Sequence, residues 1–340
     1  MLEIILTLAR QFRAAGYDLY LVGGTVRDLL LGRLSSPDID MTTDATPDAI
    51  KHITVATHPR AVVLVGERFG TVRLHYALEP SGAANHPMPD AVEPAEPDEL
   101  IIEITTYRSE RYDPESRKPE VCFGTRLEDD LSRRDFTINA MARDPLTGAI
   151  TDPFGGRADL DARILRAVGD DPGQRFADDP LRLLRAVRFA AQLDFTIEPH
   201  TTEAIVSQAA TLEKISRERI RDELNKLLIS PRPMVGLRLA VDLGLMSHIS
   251  PEVMELRGVS QRTGPVQSKD VYEHVLRVVQ NSPPRLTSRW AGLLHDIAKP
   301  RTRSVENGQV HFFGHEDVGA VMARDILKRL KFDRPFVEHV

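Results

Sequence analysis

Two stretches decide how the first third of this chain is read: LVGGTVRDLLLG, residues 21–32, and DIDMTTDATP, residues 38–47. The run DLYLVG (18–23) is a short β-type segment stopped by Gly23-Gly24, and VRDLLLG (26–32) is a helix ending near Gly32. PDIDMTT (37–43) is β-type again. Alternate side chains of a strand share a face, so Asp38 and Asp40 project together while Ile39 and Met41 point to the core. Two neighbouring carboxylates repel unless a cation lies between them, and Mg²⁺ with its oxygen ligands fits that need. Taken by itself, D-x-D in a polar SSPDID context reads first as a solvated turn. The glycine pair changes the balance. It lets the backbone approach a phosphate closely, the following helix points free N–H groups at it, and Arg27, next to Asp28, adds a fixed charge for triphosphate oxygens. No Lys-Ser/Thr follows the glycines and the spacing is not G-x-G-x-x-G, which disfavours a P-loop kinase and a dinucleotide dehydrogenase.

The rest of the head segment follows suit. Thr46-Pro47 opens the helix PDAIKHI, while AVVLVG (61–66), GTVRLHYAL (70–78) and LIIEITTYR (100–108) resemble paired strands. Between the last two lies EPSGAANHPMPDAVEPAEPDE (79–99), rich in Pro, Ala and acids and without periodicity, which reads as a mobile hairpin extension. From about residue 127 the pattern turns helical: LEDDLSRRDFTINAMA, DPLRLLRAVRFAAQL, SRERIRDELNKLLI and PMVGLRLAVDLG. ELRGVSQRTGPVQSKD (255–270) reads as a linker, and VYEHVLRVVQ, SRWAGLLHDIAK and HEDVGAVMARDILKRL beyond it form a separate helical unit. The final FDRPFVEHV carries no helix-stop signal, and the last helices of that unit are expected to lie beyond Val340.

The totals are those of an ordinary globular protein: 340 residues, 41% hydrophobic, 28% charged, long enough for two or three domains. No apolar run approaches the roughly 20 residues of a membrane span. The N-terminus MLEIILTLARQFRAAG is an amphipathic helix carrying Glu3 and Arg10, without the form of a signal peptide, and no membrane or protein partner is implied. The single cysteine, Cys122, excludes an intrachain disulfide framework and suits the cytoplasm. A net charge of -6 argues against a globally basic nucleic-acid coat but leaves room for local basic faces.

One helix stands out. In DDPLRLLRAVRF, Arg182, Arg185 and Arg188 recur every three residues among Leu183, Leu184, Ala186, Val187 and Phe189, so a largely buried helix carries arginines that need acceptors. Asp179 lies one turn before Arg182 and can pair with it.

Strand, Gly-Gly, helix and a strand with D-x-D resemble the nucleotidyltransferase superfamily of DNA polymerase β, and within it the class II group of bacterial tRNA CCA-adding enzymes and poly(A) polymerases. The group's other motifs recur in order: RRDFTINAMA (133–142), DDPLRLLRAVRFAAQL and ISRERIRDELNKLL (215–228). The resemblance covers roughly residues 18–230. It implies an α+β fold: a polymerase β-like head with a small mixed sheet (1–150), an all-α neck and body (151–257), and a helical HD-type domain (258–340). It further implies two Mg²⁺ ions on Asp38 and Asp40, with Glu103 as a candidate third carboxylate. Gly23, Gly24, Arg27 and Asp28 become nucleotide-binding. Arg134 is implied as a phosphate contact and Asp135 as the ribose 2′-OH contact, braced by Asn139. Asp179 and Arg182 are the pair that hydrogen-bonds the base edge of CTP or ATP, and Arg185 and Arg188 are placed nearer the phosphates or the tRNA end. An Arg offers only donors and an Asp only acceptors, so the pair can match an edge presenting both kinds of group. RSERYDPESRKPEVCFGT (108–125) matches the group's flexible loop.

The implied reaction adds C, C and A to the 3′ end of tRNA from CTP and ATP. Poly(A) synthesis is the nearest rival, disfavoured by VGERFGTVRL (65–74) and by the acidic balance, and CC-only or A-only addition shares the same motifs. His274 and the adjacent His295-Asp296 resemble the HD superfamily of metal-dependent phosphohydrolases, with His315 following in FFGHE. A further divalent metal there, or a protein whose main work is HD-type hydrolysis, or a silent RNA-binding platform, are the readings of a different class.

Overall fold

The computed structural model describes residues 1–33, 38–65, 70–77, 99–111, 120–124, 126–261 and 270–340. The acidic Pro/Ala stretch, the middle of the 108–125 loop, most of VGERF and the body of the 255–270 linker therefore lie outside the described residues. The chain divides into two compact units, Met1–Ala162 with Ala167–Asp170, and Arg163–Arg166 with Asp171–Val340.

The first unit opens with α1 (Leu2–Ala14), whose Ile5, Leu8, Ala9 and Phe12 form one buried stripe. Then follow β1 (Leu19–Val22), α2 (Gly24–Leu30), β2 (Asp38–Thr43), α3 (Pro47–Thr54), β3 (Ala61–Val65), β4 (Thr71–Ala77) and β5 (Glu99–Thr106). The hairpin of β6 (Arg108–Arg111) and β7 (Glu120–Phe123) comes next, then α4 (Leu127–Ser132), β8 (Ala142–Arg143), β9 (Ile150–Thr151) and α5 (Gly156–Ala162). Seven strands form one sheet in the order β3-β4-β5-β2-β1-β8-β9. Only the β2–β5 pair is parallel. Period-2 alternation buries Ile39, Met41, Leu100, Ile102, Ile104, Val72 and Leu74 on one face, against α1 and α3. Thr46 caps α3 through the N–H of Ala49, and Pro47 begins it, as the sequence suggested.

One expected helix is shorter than its apolar spacing predicts. LEDDLSRRDFTINAMA is helical only to Ser132; a 3-10 turn spans Thr137–Asn139, and β8 then joins the sheet. Phe136, Ile138 and Met141 are fully buried, so their spacing records a chain passing through the core instead of one helix face. Local hydrogen bonds favour the break: the Phe136 N–H goes to the Asp135 carboxylate, and the Thr137 hydroxyl to Asp159. The first unit also runs past the boundary expected at residue 150, because β9 pairs with β8 and α5 packs against the 3-10 turn.

The second unit is helical. Its first helices are α6 (Pro172–Asp178), α7 (Leu181–Leu193), α8 (Pro199–Gln208), α9 (Arg217–Leu228) and α10 (Pro233–Asp242), with α7 packed on α9 and α10. Gly236 is needed where α10 meets its neighbours, since a Cβ there would lie 2.2 Å from a Leu227 methyl. Ser216 caps α9, its hydroxyl accepting the Arg219 N–H. Further on, the helix Val271–Asn281 packs on Leu286–Leu294, and His315–Arg329 lies close to the end of the chain.

Candidate active site

β1 runs directly into Gly23, whose φ of 65° with ψ of -136° is open in practice to glycine alone. A Cβ on Gly23 would lie 3.0 Å from Nη1 of Arg134 and 3.7 Å from Oδ2 of Asp40. The turn, the guanidinium and the carboxylate therefore converge on one place. Thr25 ties them together, its hydroxyl accepting the Asp40 N–H at 2.9 Å. On β2, Asp38 and Asp40 are exposed on one face and Ile39 and Met41 are buried on the other, as the alternation required.

Glu103 is the partner of Asp40 across the parallel β2–β5 pair, and Arg73 on β4 is in turn the partner of Glu103. Sequence reasoning carried Glu103 and missed Arg73, whose Nε and Nη2 donate to Glu103 Oε1 at 2.8 and 2.5 Å. Among the described residues, the ligand atoms of Asp38, Asp40 and Glu103 do not form a mutually close group of three as those of the histidine cluster in the second unit do. The two strand aspartates remain as a pair of hard oxygen donors, suited to a cation that also takes phosphate and water oxygens. The surrounding protein pushes the Asp40 carboxyl above its ordinary range; Arg134 and Arg27 oppose this, while Glu103 and Asp38 reinforce it. A cation at this place would relieve that repulsion, so the residues fit a divalent metal.

The other head residues form a chain of hydrogen bonds. Arg27 is buried; its Nε and Nη2 grip Asp28 at 2.8 and 2.9 Å, and its Nη1 donates to Asn139 Oδ1 at 2.8 Å. Asn139 passes the contact to Asp135 through Nδ2 at 3.1 Å. Arg27, expected as a charge for the triphosphate, thus braces the Asp135–Asn139 pair from within. Arg133 is held by the buried Asp130, which also holds Arg134. Asp130 is a residue that sequence reasoning missed.

In the second unit, the Asp179 carboxylate accepts from Arg219 Nη2 at 2.8 Å and from the Leu181 N–H, and its carbonyl receives the Arg182 N–H. Arg182 is buried and donates from Nη1 to the Arg175 carbonyl at 2.9 Å. Arg188 lies against Glu223 of α9 at 2.7 Å and over the Phe189 ring at 4.0 Å. Arg185 Nη1 is 3.9 Å from the same glutamate. The acceptor that the buried arginine row demanded is thus in part the protein's own Glu223.

The HD residues also meet. His274, His295 and Asp296 bring ligand atoms within 4.8 Å of one another. Nε2 of His295 lies 3.2 Å from Nε2 of His274 and 3.2 Å from Asp296 Oδ2, and His315 Nε2 is 3.7 Å from Asp296 Oδ1. The Nδ1 atoms of His295 and His315 face the carbonyls of Gly292 and Phe312 at 2.9 and 2.8 Å, a contact that leaves Nε2 as the ligating nitrogen. Burial tends to raise the Asp296 carboxyl, but hydrogen bonds from His295 and Lys299 outweigh it and hold the group down at about 2.

A mixed sheet presenting a strand D-x-D beside a glycine turn and a fixed arginine defines a polymerase-type nucleotidyltransferase head. Residues 19–166 match the family model of the poly A polymerase head domain, 194–256 that named "Probable RNA and SrmB-binding site of polymerase A", and 271–340 the HD domain. The CCA-adding enzyme of Lactobacillus johnsonii is 41% identical over 254 residues, covering 74% of this chain and 56% of that enzyme. The A-adding tRNA nucleotidyltransferase of Deinococcus radiodurans is 43% identical over 218 residues, covering 60% of this chain and 49% of that protein. The solved structure of the Bacillus stearothermophilus CCA-adding enzyme in complex with CTP superposes with a TM-score of 0.67 at 31% identity, covering 99% of this chain and 67% of that one. The chain belongs to the class II tRNA nucleotidyltransferase family of the CCA-adding enzymes, with an HD domain following the head and neck. It spans little more than half the length of the curated relatives it matches. No helix among the described residues is long and apolar enough to cross a membrane.

Proposed function

We propose that this chain adds C, C and A to the 3′ end of tRNA from CTP and ATP in the cytoplasm. The observation that carries this is the convergence of the Gly23 turn, Arg134 and the Asp38/Asp40 face of β2. The tRNA 3′-hydroxyl oxygen bonds to the α-phosphorus as its proton passes to solvent, the bond from that phosphorus to the bridging oxygen breaks, and pyrophosphate leaves with the electron pair. Two Mg²⁺ ions, when bound, supply Lewis acidity toward the attacking hydroxyl and the departing oxygen. Asp38 and Asp40 would hold them. The Gly23 backbone and Arg134 orient the phosphates, and the Asp135–Asn139–Arg27 chain presents a fixed carboxylate to the ribose. Asp179 and Arg182 match the base edge, and a base with the wrong pattern leaves buried polar groups unpaired. Arg185 and Arg188 line the same helix; Glu223 sets their orientation.

The test supplies tRNA transcripts ending before the first C, after CC and after CCA, with labelled CTP and ATP. Three additions that then stop are expected. A growing ladder of A would favour poly(A) synthesis. Extension of the CC-ending transcript alone would favour A addition, a reading to which the similarity to the Deinococcus radiodurans enzyme gives weight.

The histidine cluster supports a second reading, of a divalent metal on His274, His295 and Asp296 with His315 beside them, serving hydrolysis of phosphate esters. Titration with Mn²⁺ or Co²⁺ is expected to show a site that His295→Ala removes while nucleotide incorporation persists. Binding unchanged by that substitution would refute the site.

A further inference from the structure

Asp130, in α4, has no solvent exposure at all and faces two guanidinium groups. Its Oδ1 accepts from Arg133 Nε at 3.0 Å and Nη2 at 2.6 Å, and its Oδ2 accepts from Arg134 Nη2 at 2.9 Å. Burial alone would raise its carboxyl, but the two arginines hold it below the usual range, so the group is a fixed anion. Arg134 is only partly used by this contact. Its Nη1 points to the Gly23 turn, 3.0 Å from where a side chain would begin, and its Nε is buried with no acceptor among the described residues. A buried donor without an acceptor is costly in a finished structure. The Nη1 that faces the Gly23 turn, with Asp40 Oδ2 close by, is directed at a place where an anionic oxygen belongs.

We propose that Asp130 is a positioning residue for nucleotide binding: it anchors Arg134 by Nη2 and so presents Nη1 to the phosphates of a nucleoside triphosphate. The proposal rests on reading the Gly23–Asp40 face as the triphosphate site. It goes further in assigning the alignment of the phosphate-binding arginine to a carboxylate that never touches the ligand. Arg133 shares the anchor, which keeps Asp130 ionised and blocks it from swinging toward Arg134 alone. A guanidinium can bridge an anchor and a ligand because its donors diverge within one rigid plane; an ammonium cannot do so in the same geometry.

The test measures equilibrium binding of CTP, CMP and tRNA to the full chain, alongside melting temperature. Asp130→Asn keeps the shape and removes the charge. CTP affinity is expected to fall about tenfold or more, roughly 1.4 kcal/mol, with CMP and tRNA affinities changing less than about threefold. The double variant Asp130→Asn/Arg134→Ala should bind CTP no more weakly than Arg134→Ala alone. Arg134→Lys should resemble Arg134→Ala. Unchanged CTP affinity in Asp130→Asn would overturn the proposal, as would parallel loss for all three ligands or losses that multiply in the double variant. If Asp130→Asn fails to fold, Arg134→Lys decides: a wild-type affinity for CTP there overturns it. Every arm is read without turnover. A wild-type chain that binds CTP but extends no tRNA therefore defeats the transfer reading alone.

Discussion

Asp40 and Glu103 are direct partners on the parallel strands β2 and β5, yet only Glu103 is neutralised within the protein, by the two-nitrogen grip of Arg73. The asymmetry separates their roles. On the proposed function, Asp40 is the one that meets a cation, and Glu103 with Arg73 shapes the field beside it. Asp40→Asn is expected to lower nucleotide incorporation by about 10³-fold or more, at least about 4 kcal/mol of barrier, with tRNA binding retained. Glu103→Gln should cost about 10- to 100-fold, the range for groups that tune a metal ligand from outside. Equal losses for the two, measured by single-turnover incorporation, would contradict the distinction.

Gly23→Ala should act on the ligand more than on the fold. The backbone conformation costs a side chain about 1–3 kcal/mol, and the new Cβ would press on the Arg134 guanidinium. CTP binding should weaken while tRNA binding stays near wild type. Titration calorimetry with each ligand checks this.

Arg188 and Glu223 are a buried pair joining α7 to α9. Arg188→Ala leaves Glu223 without its closest partner and should cost about 3–5 kcal/mol of stability, whereas Arg188→Met with Glu223→Leu should recover much of it. Chemical denaturation of the single and double variants decides. An additive double variant would show that the two side chains do not act as a pair.

Glu252 supplies a pH-dependent term. Burial tends to raise its carboxyl, but Arg329 donates to it at 2.9 and 2.7 Å, and with Ser250 holds it below its ordinary 4.5 in the folded chain. As pH falls through 4.5 the unfolded chain takes up the proton first, so the contribution is full above that value and is lost as pH approaches the folded value. Glu252→Gln should lower the melting temperature at pH 7 and lower it less near pH 3.5. An equal decrement at both values would show that the pair is not the source.

What could be read from the sequence was local. Period-2 alternation placed Asp38 and Asp40 on one face, Gly23-Gly24 marked the turn, Thr46-Pro47 marked a helix start, and the motif order pointed to the family. These depend on neighbours in the chain. Whatever required strand register or a folded core was out of reach. Arg73 meets Glu103 across 30 positions, and Arg27 meets Asn139 across 112. Nothing local to either residue announces such a partner.

The misread helix shows the same limit from the other side. Phe136, Ile138 and Met141 have apolar spacing because the chain is surrounded by core there, and surrounding burial imitates a helix face. Asp130 shows it most plainly. In LEDDLSRRDF it is one acid among four, and its neighbours Glu128 and Asp129 are solvated. Alternation and spacing are properties of the chain and survive in the bare sequence. Which acid is sealed from water, and which arginine it therefore holds, follows from how the elements pack, and packing alone decides it.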